Sequence, residues 1–218
     1  MPPRQKILFD FDWQFHRGDV ENGQSSEFID SDWRTVNLPH DWSIEDLPGT
    51  YSPFDSTAIG GIDAGYLVGG TGWYRKSFEI PESYKNKKLV IYFEGVYMNA
   101  DVWLNDVHLG NHPYGYTAFE FDISDKVKMG KNNILAVQVK NEGRNSRWYS
   151  GSGIYRHVWL KVTNNVHVKT WGTRVSTTDV SNERATLNVK AQIRNETRGK
   201  KDLKKTFILG FLHALSIS

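Results

Sequence analysis

The segment from 145 to 160, NSRWYSGSGIYRHVWL, concentrates side chains that suit the binding of a polar ligand. Arg147 carries a planar fork of hydrogen-bond donors, and Trp148 and Tyr149 combine an apolar face with a polar edge. The apolar and polar alternation typical of a strand begins only at Ile154, so the front half is predicted to be a loop. We interpret the loop residues as candidate ligand contacts. The alternative is that Trp148 is a packing anchor.

The segment LPHDW (38–42) places His40 beside Asp41, which suggests a proton-relay pair. Adjacent residues of an extended segment point to opposite sides, so the two side chains are not expected to bond to each other. Asp41 is more simply interpreted as an acceptor for loop amides, with Trp42 packing beneath it. We keep Asp41 as a candidate binding residue beside this structural interpretation.

The sequence offers no convincing catalytic or metal-binding constellation. The closest carboxylate pairs, Glu45 with Asp46 and Glu120 with Asp122, lack an apolar surrounding that would separate their pKa values for acid and base roles. There is no cysteine, and the seven histidines lack the spacing typical of zinc sites. We therefore predict no catalytic residue, no metal and no cofactor in this chain.

The composition limits the classes of binding partner that are expected. The chain has 218 residues and a formal net charge of +2, with scattered basic residues, so neither nucleic acid nor an anionic membrane is an expected partner. Aromatic residues make up 13%, including 8 tryptophans, which suits a sugar surface or a β-sandwich core. The absence of cysteine leaves the compartment open.

Short alternating segments predict an all-β protein. In 88–96 Leu89, Ile91 and Phe93 share one face, and Asn105-Asp106 predicts a tight hairpin between two strands. The remaining predicted strands are 101–104, 107–110, 133–139, 156–162 and 185–197. By contrast, 43–72 contains seven glycines and no sustained alternation, which predicts a long irregular loop.

The segment GGTGWYRKSFEIP (69–81) combines glycines with a strand pattern. No helix follows the glycines, so a phosphate-binding role is not indicated. Trp73 and Phe78 are predicted to lie in the core, and Arg75 and Lys76 near solvent or an interface.

Five segments in order resemble the N-terminal sugar-binding domain of glycoside hydrolase family 2, the β-galactosidase and β-glucuronidase family. They are NLPHDW, GGTGWYRKSFEIP, FEGVYMNADVWLNDVHLGNHPYGYTAFEFDIS, NNILAVQV and SRWYSGSGIYRHVWL. The resemblance implies a galactose-binding-domain-like jelly-roll sandwich at 1–164. It also implies the start of an immunoglobulin-like β-sandwich at 165–218. The last residues, RGKKDLKKTFILGFLHALSIS, are expected to be either a truncated end or one ordinary buried strand.

The resemblance also implies a function. In the family a separate TIM barrel carries the two catalytic glutamates of a retaining mechanism, so this chain alone is expected to be inactive. Its role would be to brace that barrel and to form one wall of the pocket for a terminal β-linked sugar, galactose being the first choice. The alternatives are a stand-alone carbohydrate-binding module and a protein-interaction β-sandwich.

The resemblance implies sugar contacts at Arg147, Trp148, Tyr149 and Asp55, and it treats the segment of Asp41 as structural. Asp41 stays a candidate sugar-binding residue beside that interpretation. Some members place an aspartate that binds sugar and sodium near this loop, but Ser146 and Arg147 occupy those positions here, so no metal is predicted. By analogy with bacterial glycan-degrading members, a periplasmic or extracellular location is expected.

Overall fold

A computed structural model describes residues 4–144 and 151–202. Within these ranges the protein consists of strands, irregular loops and three single-turn 3₁₀ helices, Trp42–Ile44, Gly61–Ala64 and Glu82–Tyr84. The described part of the chain holds no helix with the length and apolarity needed to cross a membrane. The predicted all-β class is confirmed.

The strands of the described residues are numbered in chain order. They are β1 Arg4–Leu8, β2 Trp13–Arg17, β3 Arg34–Val36, β4 Gly70–Glu79, β5 Lys88–Phe93, β6 Ala100–Leu104, β7 Val107–His112, β8 Phe119–Asp122, β9 Asn132–Asn141, β10 Val158–Thr163, β11 Val166–Thr178 and β12 Thr186–Asn195.

The chain divides into two compact units, Met1–Asn164 and Asn165–Ser218. The first unit is a jelly-roll sandwich of two antiparallel sheets, with strand orders β1-β10-β5-β8 and β3-β2-β4-β9-β6-β7. Side chains from both sheets meet in one hydrophobic core, including Ile91 of the smaller sheet and Trp13 and Val137 of the larger. This core is the rigid base from which the loops project.

Sequence alternation accounts for the strands of the core. Leu89, Ile91 and Phe93 of β5 are all fully buried, as their period of two predicts. Asn105 and Asp106 both adopt positive φ, which is the turn geometry predicted for the hairpin between β6 and β7.

The outer face of the larger sheet is also covered, which the sequence did not indicate. A second small cluster forms there around Trp33, Trp73 and Ala136. Arg75 of β4 is fully buried in the same layer, contrary to its predicted position near solvent or an interface. Its guanidinium donates to the Asp30 carboxylate (Nε to Oδ2, 2.7 Å) and to the Gly23 carbonyl (2.6 Å). The segment before β3 therefore folds over the sheet around a buried cation.

The second unit, as far as it is described, is a two-stranded antiparallel sheet of β11 and β12. Its alternation is as regular as predicted, yet Val175, Leu187, Val189 and Ile193 are exposed. Its interpretation as the start of an immunoglobulin-like sandwich stays a prediction.

Candidate functional site

Asp41 joins two loops at one end of the sandwich. Its Oδ1 atom accepts a hydrogen bond from the Ser43 amide (2.9 Å) and another from the Ser152 amide (2.8 Å). The Ser152 hydroxyl accepts from Ser43 Oγ (2.6 Å) and from Asn141 Nδ2 (2.7 Å). The interpretation of Asp41 as an acceptor for loop amides is thus confirmed by its contacts, and the loops on either side begin from a common fixed point.

His40 lies in a polar chain that runs from the core to the surface. Its Nδ1 atom is 2.7 Å from the Tyr74 hydroxyl, and its Nε2 atom is 2.9 Å from Glu45 Oε1. Arg34 donates to both Glu45 carboxylate oxygens at 2.7 Å. Burial lowers the pKa of His40 and raises the pKa of Tyr74 well above its usual value. His40 hydrogen-bonds to Tyr74 and Glu45 and not to Asp41, as expected for adjacent residues of an extended segment. The arrangement therefore orients the loop and does not form a proton relay between His40 and Asp41.

Gly153 allows the loop before β10 to lie close to these polar side chains. Its φ is +130°, and a Cβ atom there would lie 2.3 Å from the Tyr74 hydroxyl and 2.7 Å from the His40 carbonyl oxygen. No side chain fits in this space, so the backbone returns to β10 directly against the polar chain.

A cleft of about 280 Å³ opens beside the joined loops. One side is formed by the loop between the first 3₁₀ helix and β4, with Asp55, Thr57 and Ile59. Another side is formed by the end of β9 and the residues after it, 141–143. The lining combines apolar side chains with carboxylate, hydroxyl and amide groups, which suits a small ligand with a hydroxylated edge.

Asp55 is one of two carboxylates that line the cleft in the described part of the chain, the other being Glu142. Its Oδ1 atom accepts from the Thr57 amide (2.8 Å) and from the Thr57 hydroxyl (2.6 Å). The hydrogen bonds from Thr57 lower the pKa of Asp55, so it is ionised at neutral pH. Among the described residues no partner bonds to the second oxygen, Oδ2, which remains able to accept from a ligand hydroxyl.

Comparison with known proteins accounts for this architecture. The family model described as "Glycosyl hydrolases family 2, sugar binding domain" matches residues 8–164. The chain belongs to this family. Residues 8–164 are therefore a sugar-binding domain of glycoside hydrolase family 2, as the resemblance implied.

Several family 2 proteins resemble the chain over most of its length. It is 46% identical over 196 residues to β-galactosidase BoGH2A of Bacteroides ovatus, covering 89% of this chain and 22% of that protein. It is 38% identical over 199 residues to a putative β-glucuronidase of Formosa agariphila, covering 91% and 19%. A crystal structure of a family 2 member from Bacteroides cellulosilyticus superimposes with a TM-score of 0.84 at 53% identity, covering 87% and 24%. The chain thus spans about a fifth to a quarter of the length of these relatives.

The predicted sugar contacts of this family 2 domain fall into two groups. Asp55 lines the cleft, whereas Asp41 is outside the lining and bonds to the amide of Ser43, which is part of it. Arg147, Trp148 and Tyr149 lie outside the described residues, and their contacts stay predictions. Within the described ranges no group of three or more histidine, cysteine or acidic side chains is placed to hold a metal ion.

Sequence reasoning did not find Thr57, Asn141 and Glu142 as members of this site. Thr57 had a usable signal, because an aspartate followed two residues later by threonine is typical of an Asx turn. Asn141 ends a regular strand and Glu142 follows it, and only the fold places that strand end against the loop of Asp55.

Proposed function

We propose that this domain forms one wall of the pocket for a terminal β-linked sugar in a family 2 glycoside hydrolase, with galactose as the first choice. The supporting observation is the cleft, where Asp55 offers an acceptor oxygen beside apolar side chains. The described residues that flank Arg147 in the sequence also reach this region, since Gly143 lines the cleft and Ser152 bonds to Ser43, another lining residue. The wall would position the sugar, while the acid and base belong to another domain of the enzyme.

We further propose that the domain braces the catalytic barrel of the same enzyme through the 44–69 loop. Large apolar side chains are exposed along it: Ile44, Tyr51, Phe54, Ile59, Ile62 and Tyr66. Exposed apolar groups gathered on one segment favour a contact with another protein surface. The matched region is 22% of the Bacteroides ovatus protein, so that relative has ample further chain to provide such a surface.

The cleft is tested by Asp55→Asn in the intact enzyme, assayed with a galactoside and a glucuronide. Loss of the charged acceptor is expected to lower kcat/KM for the preferred sugar by about tenfold. Asp63→Asn is the matched control, because Asp63 is an exposed aspartate of the same loop that does not line the cleft. Equal kcat/KM for the wild type and both variants would contradict the cleft as the pocket wall.

Arg147→Ala is expected to lower kcat/KM by about tenfold to a hundredfold, because a charge-assisted hydrogen bond to the substrate is lost. The melting temperature should be nearly unchanged. Trp148→Ala should instead lower the melting temperature if the indole is a packing anchor. An Arg147→Ala protein with unaltered kcat/KM would remove Arg147 from the site.

Isothermal titration of the 218-residue chain with methyl β-D-galactopyranoside separates this proposal from a stand-alone carbohydrate-binding module. A pocket wall contributes only part of the contacts and should bind the monosaccharide weakly. A module should bind it unaided, with a clear saturable heat.

A further inference from the structure

Two exposed tyrosines lie close together on the loop between β7 and β8. Tyr114 is 56% exposed and Tyr116 is 51% exposed. Their ring centroids are 5.6 Å apart, and the Tyr116 ring is 5.2 Å from that of Tyr97, which is buried. Tyr97 is buried in the core, whereas about half of each of Tyr114 and Tyr116 is open to solvent. We call Tyr114 and Tyr116 the tyrosine platform.

The platform is held rigidly. Gly115, between the two tyrosines, packs so closely that a Cβ atom would lie 2.1 Å from the Tyr97 ring. The Gly115 carbonyl accepts a hydrogen bond from the Tyr155 hydroxyl at 2.8 Å. His112 Nε2 lies 3.1 Å from Thr117 Oγ1 across the base of the loop. Such a surface loses little conformational entropy when a ligand binds, because its backbone is already fixed.

The platform and the cleft both contact one short segment, residues 152–153, the platform through Tyr97. Tyr97 exchanges two backbone hydrogen bonds with Gly153, both 2.9 Å. The preceding residue, Ser152, bonds to Ser43 in the lining of the cleft. A series of direct contacts, from Tyr116 through Tyr97 and the 152–153 segment to Ser43, therefore links the platform to the lining of the cleft.

The chemistry of the platform suits a pyranose ring. The ring C–H groups of a β-linked sugar match the apolar face of tyrosine, and the phenol hydroxyl and neighbouring amides match the sugar hydroxyls at the ring edge. The Asn111 side chain donates to the Asn99 side-chain oxygen at 3.1 Å, and the backbone N–H of Asn99 donates to the Pro113 carbonyl at 3.2 Å. These contacts place two carboxamides next to the loop. Exposed aromatic rings bordered by amides favour a carbohydrate over an aliphatic protein surface.

We infer that Tyr114 and Tyr116 form a second sugar subsite, which binds a pyranose farther along a β-linked oligosaccharide than the unit held at the cleft. The inference rests on the proposed function for the class of ligand. It adds that the natural substrate is an oligosaccharide and that this domain selects it over a simple monoglycoside.

The test is saturation-transfer NMR on the 218-residue chain, because this method detects weak binding. The probes are β-1,4-galactotetraose, cellotetraose and methyl β-D-galactopyranoside, and the variants are Tyr114→Ala, Tyr116→Ala and Tyr51→Ala. Tyr51 is the matched control, since it is a fully exposed tyrosine away from the platform. At least one tetrasaccharide is expected to bind, and each platform variant should raise its Kd by about threefold to tenfold through the lost stacking contact. Tyr51→Ala should leave the Kd unchanged.

Three results would overturn the inference. They are the absence of transfer to both tetrasaccharides, an unchanged Kd in both platform variants, and an equal loss in Tyr51→Ala. Melting curves identify a variant that fails to fold. Tyr114→Leu or Tyr116→Leu then replaces it, because leucine keeps an apolar side chain without the ring and should raise the Kd in the same way. The proposed cleft fails separately, if Asp55→Asn leaves kcat/KM unchanged while the tetrasaccharide still binds at the platform.

Discussion

In the first unit β5 alternates apolar and polar residues and buries Leu89, Ile91 and Phe93 completely, whereas β12 of the second unit alternates just as regularly and leaves Leu187 46% exposed. The two strands differ in what faces them. The first unit has a second sheet over its apolar face, and among the described residues of the second unit no sheet covers β11 and β12. Alternation thus predicts a strand and its two faces, and burial depends on a partner.

This difference has an energetic consequence. A lone two-stranded sheet is only marginally stable in water, because it buries too little apolar area to offset the loss of backbone entropy. The exposed apolar face of the second unit is what a further sheet of an immunoglobulin-like sandwich would cover. We therefore propose that the stability of the chain resides in the first unit.

The largest effect that tests this comparison is expected from Arg75→Met in the first unit. Removing the buried guanidinium leaves the Asp30 carboxylate and several carbonyls without their donor, which should cost about 3–5 kcal/mol of unfolding free energy. Arg174→Met, at an exposed position of β11, should cost no more than about 0.5 kcal/mol. Urea denaturation of both variants provides the measurement. Equal costs would mean that the two units are packed alike.

A matched pair of leucines sharpens the same comparison. Leu135→Ala in β9 should cost about 2–5 kcal/mol, because Leu135 is fully buried and its loss leaves a cavity. Leu187→Ala in β12 should cost less than about 0.5 kcal/mol by the same urea titration. A large loss at Leu187 would show that the apolar face of the second unit is covered in solution.

The smallest effect concerns the pH dependence of the first unit. Burial lowers the pKa of His40 below its ordinary value of 6.5, so below that pH the unfolded chain binds the proton more readily than the folded chain. Neutral His40 therefore stabilises the folded state fully above pH 6.5, and this stabilisation is lost as the pH falls through the lowered pKa. Melting temperatures of the wild type should therefore fall from pH 7 to pH 5, and those of His40→Gln should fall less. Parallel curves would exclude His40 as the titrating group.

The sequence predicted most of the strands because their signals are local. The hairpin at Asn105-Asp106 and the alternation of β5 need no knowledge of distant residues. Arg75 was misplaced for the opposite reason. A charged residue in a strand pattern favours solvent, and its burial depends on an irregular segment about 50 residues earlier that supplies Asp30 and carbonyl acceptors.

The site was predictable only in part. Asp41 carries a local signal for capping amides, yet one of its two amide partners, Ser152, is 111 residues away. Asp55 was suggested by family resemblance, and its position in a cleft depends on the end of β9. The tyrosine platform had no sequence signal, because tyrosines in a loop are equally compatible with packing.

The two hydrogen bonds to Asp41 have a consequence for how such domains diversify. One carboxylate oxygen fixes the start of the 44–69 loop and the return of the chain at Ser152, so one end of each loop is held independently of the residues that follow or precede it. Natural selection can therefore lengthen, shorten or rewrite those intervening residues while the strand register is inherited unchanged. The same property makes the two loops suitable for grafting, in which a new sugar preference is installed by exchanging sequence beyond the fixed ends.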